Sequence, residues 1–452
     1  METTLELGNV KKIVEYASEK KAMISMPAAK MLAERQDFKK IIDKLLSEKK
    51  FQIDEKAVEE FIVKEDTKID LETRSEINIE GFEPASKKFE ARIRILSEDT
   101  EEFIGPTVKD MTAMYQDRFN YLSGVLKKRF GVGNNAKDFS KLHKVTKGHE
   151  VDIVGMVEKK WVSKNGHVCI SLEDIEGTAI ALILKSELNL MRESEKIIPD
   201  DIIGLKGVKG EGEMIIAKQI FYPEMPMRQQ KKIERDLSLI VLSDIHVGSK
   251  LFLEKEFNRF LDWLNCRIGD EKELEKVGKI KYIVIAGDSV DGIGVYPEQI
   301  NELLITDIYK QYEKLEDLLL QIPEHIHIIF APGNHDAVRK ADPQPAIGKA
   351  FLPRLYAKKN FHFVGSPVWV EIEGLKVLVY HGNSMHDLYA QIPGLDASKP
   401  EKAITEALKR CCLGFTYGFK NPYVATKKDF MVIRDFPDLY IGGDMHHTGY
   451  GN

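Results

Sequence analysis

The stretch KYIVIAGDSVD (281–291) decides the fold. After Lys281 an unbroken apolar run reaches Gly287, and two aspartates follow. A run without polar alternation is the mark of a strand buried on both faces. Four other runs share this design: LSLIVLS (237–243), HIHIIFA (325–331), LKVLVYH (375–381) and PDLYIGG (437–443). Each leads into a polar loop. The loops carry Asp244-Ile245-His246, Gly287-Asp288, Gly333-Asn334-His335-Asp336, His381-Gly382 and Asp444-Met445-His446-His447. Between the second and third runs, Ile300, Leu303, Leu304, Ile308, Tyr312, Leu315 and Leu319 predict a helix over 298–320. Strands alternating with helices imply a layered α/β domain over 236–452.

In such a domain the loops at the carboxyl ends of the strands converge. Asp, Asn and His from these loops are therefore expected at one site. They are hard and borderline ligands, suited to Mn²⁺, Fe²⁺ or Zn²⁺, with no cysteine among them. The histidines agree: nine of twelve follow residue 240.

Working outward, a basic link, RQQKKIER (228–235), joins this domain to a β-rich region at 145–225. VDIVGMV (151–157), VCISLED (168–174), TAIALIL (178–184), IIGLKGV (202–208) and MIIAKQIFY (214–222) are five short strands, with Asn165-Gly166 as a hairpin turn. They suggest a small OB-like barrel. Trp161 and a few lysines are its candidates for nucleic-acid contact, and the balance falls on a structural or protein-docking barrel. Residues 107–130 read as a helix with Lys127, Lys128 and Arg129 in its last turn, where cations suit the helix dipole. This helix and the barrel make up 107–227.

The first 63 residues read as a small helical module. Met31, Leu32, Phe38, Ile41, Ile42, Leu45 and Leu46 share one helical face, and Asp54 is placed to cap a second segment with Val58, Phe61 and Ile62. Residues 64–106 read as an acidic flexible tether. Positions 65–102 hold twelve acids and six bases, a net of −6, which equals the charge of the whole 452-residue chain. The remainder is neutral, so overall charge does not exclude nucleic acid as a substrate.

With 43% apolar and 31% charged residues the chain is globular rather than disordered. Cys169, Cys266, Cys411 and Cys412 have no CxxC spacing and make neither a disulfide framework nor a cysteine zinc site. The start, METTLELGNVKK, is no secretory signal, and no apolar run is long enough to span a membrane. A cytoplasmic location is the default expectation.

The set DxH, GDxxD, GNHD, HG and a terminal xxH resembles the calcineurin-like metallophosphoesterases. More narrowly, SDIHVGS (243–249), AGDSVDGIGVYP (286–297), APGNHDAVRKADPQPAI (331–347) and YHGNSMHDL (380–388) resemble the small subunits of archaeal D-family DNA polymerases. The resemblance implies one metal on Asp244, His246, Asp288 and His446. It implies a second on Asp288, Asn334, His381 and Asp444, with Asp288 bridging and Mn²⁺ the leading ion. Asp444 stands where the family usually has His, which implies a modified site. His335 would stabilise or protonate the leaving oxygen, with Asp336 orienting it. Asp291 and His386 have no assigned role, and His325 and His327 are expected to be packing or surface groups. The resemblance also implies a 3′–5′ exonuclease acting on DNA 3′ ends, a large polymerase subunit as partner, and a sliding clamp as a further one. A scaffold subunit with vestigial chemistry and a general metallophosphoesterase are the alternatives. Members of the family continue beyond the last ligand motif, so the end at Gly451-Asn452 is expected to leave the sheet short of neighbours.

Overall fold

The computed structural model describes residues 4–33, 38–47, 52–54, 57–58, 82–96, 107–132, 139–226 and 229–451. The chain divides into two compact units, Met1–Gly81 with Ile268–Asp270, and Phe82–Arg267 with Glu271–Asn452.

The first unit is helical, as expected. It contains α1 (Thr4–Glu19), β1 (Met23–Ile24), α2 (Met26–Ala33), α3 (Phe38–Ser47) and β2 (Gln52–Ile53), with β1 and β2 parallel. The apolar face read over 31–46 is divided between α2 and α3. Leu32, Ile41, Ile42 and Leu45 bury themselves against Ile13, Ala17 and Ile53. Asp54 Oδ1 accepts from the Ala57 amide at 2.8 Å, the predicted cap. Phe61 and Ile62 lie outside the described residues.

Much of the expected tether also lies outside them. Residues 82–96 are described and are not a tether. They hold a 3₁₀ turn (Ala85–Lys88) and β3 (Ile93–Ile95). The Arg92 amide donates to Tyr282 Oη at 2.9 Å, which fixes β3 to the α/β core. The acidic composition hid this short strand.

Helix α4 (Val108–Phe130) begins at a capping box, where Thr107 Oγ1 accepts from the Asp110 amide at 3.2 Å and Asp110 Oδ2 accepts from the Thr107 amide. The five expected strands follow as β4 (Glu150–Val162), β5 (Val168–Glu173), β6 (Thr178–Ile183), β7 (Ile202–Lys209) and β8 (Met214–Phe221), with α5 (Leu188–Glu195) between β6 and β7. They close into a barrel in the order β4-β5-β6-β8-β7 around Ile153, Val157, Ile170, Leu172, Leu205 and Ile215.

The α/β region comprises β9 (Ser238–Leu242), α6 (Glu254–Leu264), α7 (Glu271–Gly278), β10 (Ile280–Ala286), α8 (Ile308–Leu319), β11 (His327–Ala331) and β12 (Phe361–Phe363). It continues with β13 (Val368–Ile372), β14 (Leu375–Val379), α9 (Met385–Gln391), α10 (Pro400–Arg410) and β15 (Leu439–Ile441). These strands belong to two sheets. One is parallel, ordered β12-β11-β10-β9, and the other is mixed, ordered β15-β14-β13-β3. Alternate residues of each, including Tyr282, Val284, Ala286, Ile329, Val370, Val377, Val379 and Ile441, form one core between them.

Two expectations change. β9 and β15 are edge strands rather than strands buried on both faces, and Val241 and Leu439 are exposed. The helix read over 298–320 begins only at Ile308, where Asp307 Oδ1 accepts from the Lys310 amide at 3.0 Å. Before it lie a 3₁₀ turn (Gln299–Asn301) and irregular chain.

Barrel and α/β region share a core. Leu122 and Leu126 of α4, Val154 and Ile202 of the barrel, and Leu378, Leu388 and Ala407 pack in one cluster. A buried ionic knot reinforces it. Arg410 donates to Asp201 Oδ1 at 2.8 Å, to Glu406 Oε2 at 2.7 Å and to the Lys196 carbonyl at 2.6 Å. Removing one partner leaves the other charges buried and unpaired. Arg410→Ala is expected to destabilise this unit by about 3–5 kcal/mol in a denaturant titration; an unchanged midpoint would show that the knot does not join barrel and α/β region.

Candidate metal centre

The carboxyl ends of β9, β10, β11, β14 and β15 meet. The first two loops are zipped together by their backbones: the Asp244 amide donates to the Gly287 carbonyl, His246 to Asp288 and Val247 to Ser289, each at 3.1 Å. The last loop closes on the first, because the Asp444 amide donates to the Asp244 carboxylate at 3.1 Å.

Strain marks the same residues. Asp244, His246, Asp288, Asp444 and His446 have φ of 53°, 51°, 51°, 74° and 51°. A side chain in this left-handed region costs on the order of 1–3 kcal/mol per residue and persists where the surroundings impose it. The sequences SDIHVGS and GDMHHTG thus place Asp and His in the same backbone conformation on two separate loops.

Asp288 sits at the centre and is 2% exposed. Its Oδ2 lies 3.3 Å from His381 Nε2, 3.8 Å from His246 Nε2 and 3.9 Å from His335 Nε2. Its Oδ1 accepts from the His335 amide at 2.9 Å. Burial opposes its charge, but the His381 and His335 imidazoles override this and hold the carboxyl well below the usual range. Burial likewise disfavours charge on His381, and the Asp288 carboxylate raises its pKa well above the ordinary value. His381 Nδ1 donates to the Ala286 carbonyl at 2.7 Å. Its Nε2 therefore faces Asn334 Oδ1 (3.1 Å), Asp288 Oδ2 (3.3 Å) and Asp444 Oδ1 (3.9 Å).

A cation fits among these atoms. Atoms that bind one small divalent ion at about 2.1 Å lie roughly 3.0–3.4 Å apart. A second group of atoms has similar spacing: His246 Nε2 to His446 Nε2 is 3.1 Å, and His446 Nε2 to Asp244 Oδ1 is 3.5 Å. Among the described residues, three overlapping triads could hold an ion: Asp244/His246/His446, His246/Asp288/His335 and Asp244/Asp288/His381. Asp288 belongs to two of the three, as do Asp244 and His246, so the triads overlap around the buried carboxylate. The side chain of His446 is the outlying member, 61% exposed.

Glycines let these groups approach, and two of them stand against Asp288 and His381. A Cβ on Gly333 would stand 2.2 Å from Asp288 Oδ1 and 2.7 Å from His381 Nε2. One on Gly287, at φ +92°, would stand 2.3 Å from His381 Nδ1.

The structure brings Asp244, His246, Asp288, Asn334, His335, His381, Asp444 and His446 together, and it reassigns Asp336. That carboxylate does not orient His335. It accepts from Ser289 Oγ at 2.5 Å, Tyr312 Oη at 3.2 Å and the Gly333 amide at 2.9 Å, and so braces the loops beneath the site. Adjacency in sequence suggested the wrong partner, since neighbouring side chains on a tight loop point apart. Asp291 orients His335 instead. Its carbonyl accepts from His335 Nδ1 at 2.7 Å, and its Oδ1 lies 3.1 Å from His246 Nδ1 without hydrogen-bonding geometry. Buried Gln299 holds Asp291 by its carbonyl (2.7 Å) and Oδ2 (3.0 Å). GDxxD spacing flagged Asp291, but nothing flagged Gln299 or Tyr312. His386 Nε2 reaches within 3.0 Å of Asp444 Oδ2. His327 lies elsewhere, with its Nδ1 3.1 Å from His362 Nε2, and burial lowers its pKa to about 4.

The described cysteines are buried and free, and no helix among the described residues is long and apolar enough to cross a membrane.

The signature of the DNA polymerase alpha/epsilon B-subunit family matches residues 239–450. The chain is similar to the DNA polymerase II small subunit of Archaeoglobus fulgidus, 41% identical over 345 residues, covering 76% of this chain and 68% of that one. The Methanothermobacter thermautotrophicus protein of the same name is 34% identical over 384 residues, 84% of this chain and 78% of that one. The Methanocaldococcus jannaschii protein is 38% identical over 348 residues, covering 76% and 58%.

Two outcomes follow from the geometry. A divalent cation must displace the His381 proton, so its binding should release protons and tighten as pH rises towards the raised His381 pKa. Calorimetry in buffers of different ionisation enthalpy reads this, and binding without proton release would contradict it. Gly333→Ala should displace Asp288 and weaken Mn²⁺ binding by about 10- to 100-fold, the range seen when ligand-orienting groups are lost; unchanged affinity would contradict the steric argument.

Proposed function

The chain belongs to the family of archaeal DNA polymerase II small subunits, and from this premise we propose that it is a metal-dependent phosphodiesterase that trims DNA 3′ ends as a 3′–5′ exonuclease. The observation that carries the reading is the convergence of strained Asp and His residues around buried Asp288. A structural loop cluster has no need of several left-handed ligand-type residues facing one another. In this reading residues 236–452 form a calcineurin-like phosphoesterase domain and 107–227 a helix with an OB-like barrel. The large polymerase subunit is the partner, and a sliding clamp a further one. The assembly is cytoplasmic.

Asp244, His246, Asp288 and His446 would hold one ion, and Asp288, Asn334, His381 and Asp444 the other, with Mn²⁺ the leading candidate and Fe²⁺ or Zn²⁺ alternatives. A bound pair of divalent ions supplies Lewis acidity, activating water and neutralising phosphate charge. The protein does the rest. Asp288, which lies near His246 and His381 alike, would belong to both ligand sets. His381 is fixed by the Ala286 carbonyl in the tautomer whose Nε2 can bind metal. His335 is held by the Asp291 carbonyl, so its Nε2 is free to hold or deliver a proton at the leaving oxygen. Asp444 offers a carboxylate where the family usually has His, and His386 lies against its outer oxygen.

One observation favours a second reading, a docking scaffold with weak chemistry: the exposure of His446 leaves one ligand loosely held. A nuclease assay separates the two. The protein should shorten DNA from its 3′ end in Mn²⁺, and His335→Ala should reduce the rate by roughly 10²–10⁴-fold while keeping the fold, as expected for loss of a general acid. A full rate in His335→Ala would reject the proton-transfer role, and inactive wild type would favour the scaffold.

A further inference from the structure

The metal chemistry leaves Gly294-Val295-Tyr296-Pro297 unused. Tyr296 stands at the rim of the cluster. Its ring centroid is 6.1 Å from that of His335, and the residue is 38% exposed. It is held in place, because its hydroxyl donates to Glu302 Oε2 at 2.8 Å. Its loop is anchored from below. Gln299 Oε1 accepts from the Val295 amide at 2.9 Å, and buried Gln311 bonds both the amide and the carbonyl of Gly292. Leu251, Ile293, Ile300 and Leu304 lie exposed on the same pair of loops. Those loops are zipped to each other: Ser249 pairs with Leu303, the Lys250 amide donates to the Glu302 carbonyl at 2.9 Å, and the Leu304 amide to the Gly248 carbonyl at 2.7 Å. Tyr296 and these exposed apolar side chains thus sit on one pair of cross-tied loops, an apolar ledge that adjoins the cluster at Tyr296.

We propose that Tyr296 and this ledge form a base-holding subsite, on which the unpaired nucleobase beside the attacked phosphodiester stacks. The inference rests on the phosphodiesterase reading and extends it. The cluster offers carboxylates, an amide and imidazole nitrogens, which suit metal and phosphate, and a base needs an aromatic face beside them. The ledge supplies that face. Whatever lies on it also reaches the cluster, and a nucleotide strand carries phosphate and flat apolar rings together. Aromatic stacking tolerates any sequence, since every base has a π-face. A base lying on Tyr296 has left its duplex, so the subsite selects unpaired ends. Tyr296 acts as a positioning residue for the strand.

The test uses the full chain and two single-stranded oligonucleotides, one with 3′-terminal thymidines and one whose last two residues are abasic. KM is measured in Mn²⁺, and binding by fluorescence anisotropy in EDTA. The thymidine end should be favoured by roughly 5- to 150-fold, the worth of one stacked base. Tyr296→Ala should collapse that ratio towards one, and Tyr296→Phe should preserve it. Equal values for both ends in the wild type, or a ratio that survives Tyr296→Ala, would overturn the proposal. So would protection of the ledge by the large subunit without any base preference, which would assign it to protein contact. Failure to cleave any oligonucleotide would defeat the phosphodiesterase reading instead, and the anisotropy ratio would still decide the subsite.

Discussion

A buried carboxylate organises this region. Asp288 is an anion taken out of water at the end of the fully buried strand β10. An isolated charge in such a place costs several kcal/mol unless it is paired and hydrogen-bonded. The surrounding loops meet that demand: His381 and His335 face it, the His335 amide bonds it, and Gly333 leaves room for it. The left-handed backbone at Asp244, His246, Asp444 and His446 follows from the same constraint. Asp244, His246 and Asp444 turn their side chains towards the buried carboxylate, while His446 stays largely exposed.

Much of this was legible in the sequence because burial writes itself into apolar runs. β10, β11 and β14 lie where unbroken aliphatic stretches predict them. The ligand-type residues were legible because each follows such a run. What stayed hidden depends on partners far along the chain. The division of strands between two sheets is a matter of pairing, and an apolar run does not name its neighbour. β3 escaped notice because three residues in acidic surroundings carry little pattern, and Ile93 and Ile95 acquire meaning only beside Val370 and Ile372. The helix expected from residue 298 fails because Ile300 and Leu304 belong to an exposed ledge rather than a helical face. Asp336 was misassigned because its true partners, Ser289 and Tyr312, come from distant segments.

The shared core of barrel and α/β region bears on function. The Arg410 knot and the packing of α4 against both place the barrel at a fixed attitude to the metal cluster. A rigid mount of this kind would suit the proposed exonuclease, which has to hold a strand end at defined geometry.

The central claim is that the Asp288 cluster is a two-ion site. Anomalous diffraction at the manganese edge, from crystals of the protein grown with Mn²⁺, tests it most directly. Two peaks are expected a few ångströms apart beside the Asp288 carboxylate, one near Asp244, His246 and His446 and the other near Asn334, His381 and Asp444. A cluster without anomalous density at saturating Mn²⁺ would contradict it.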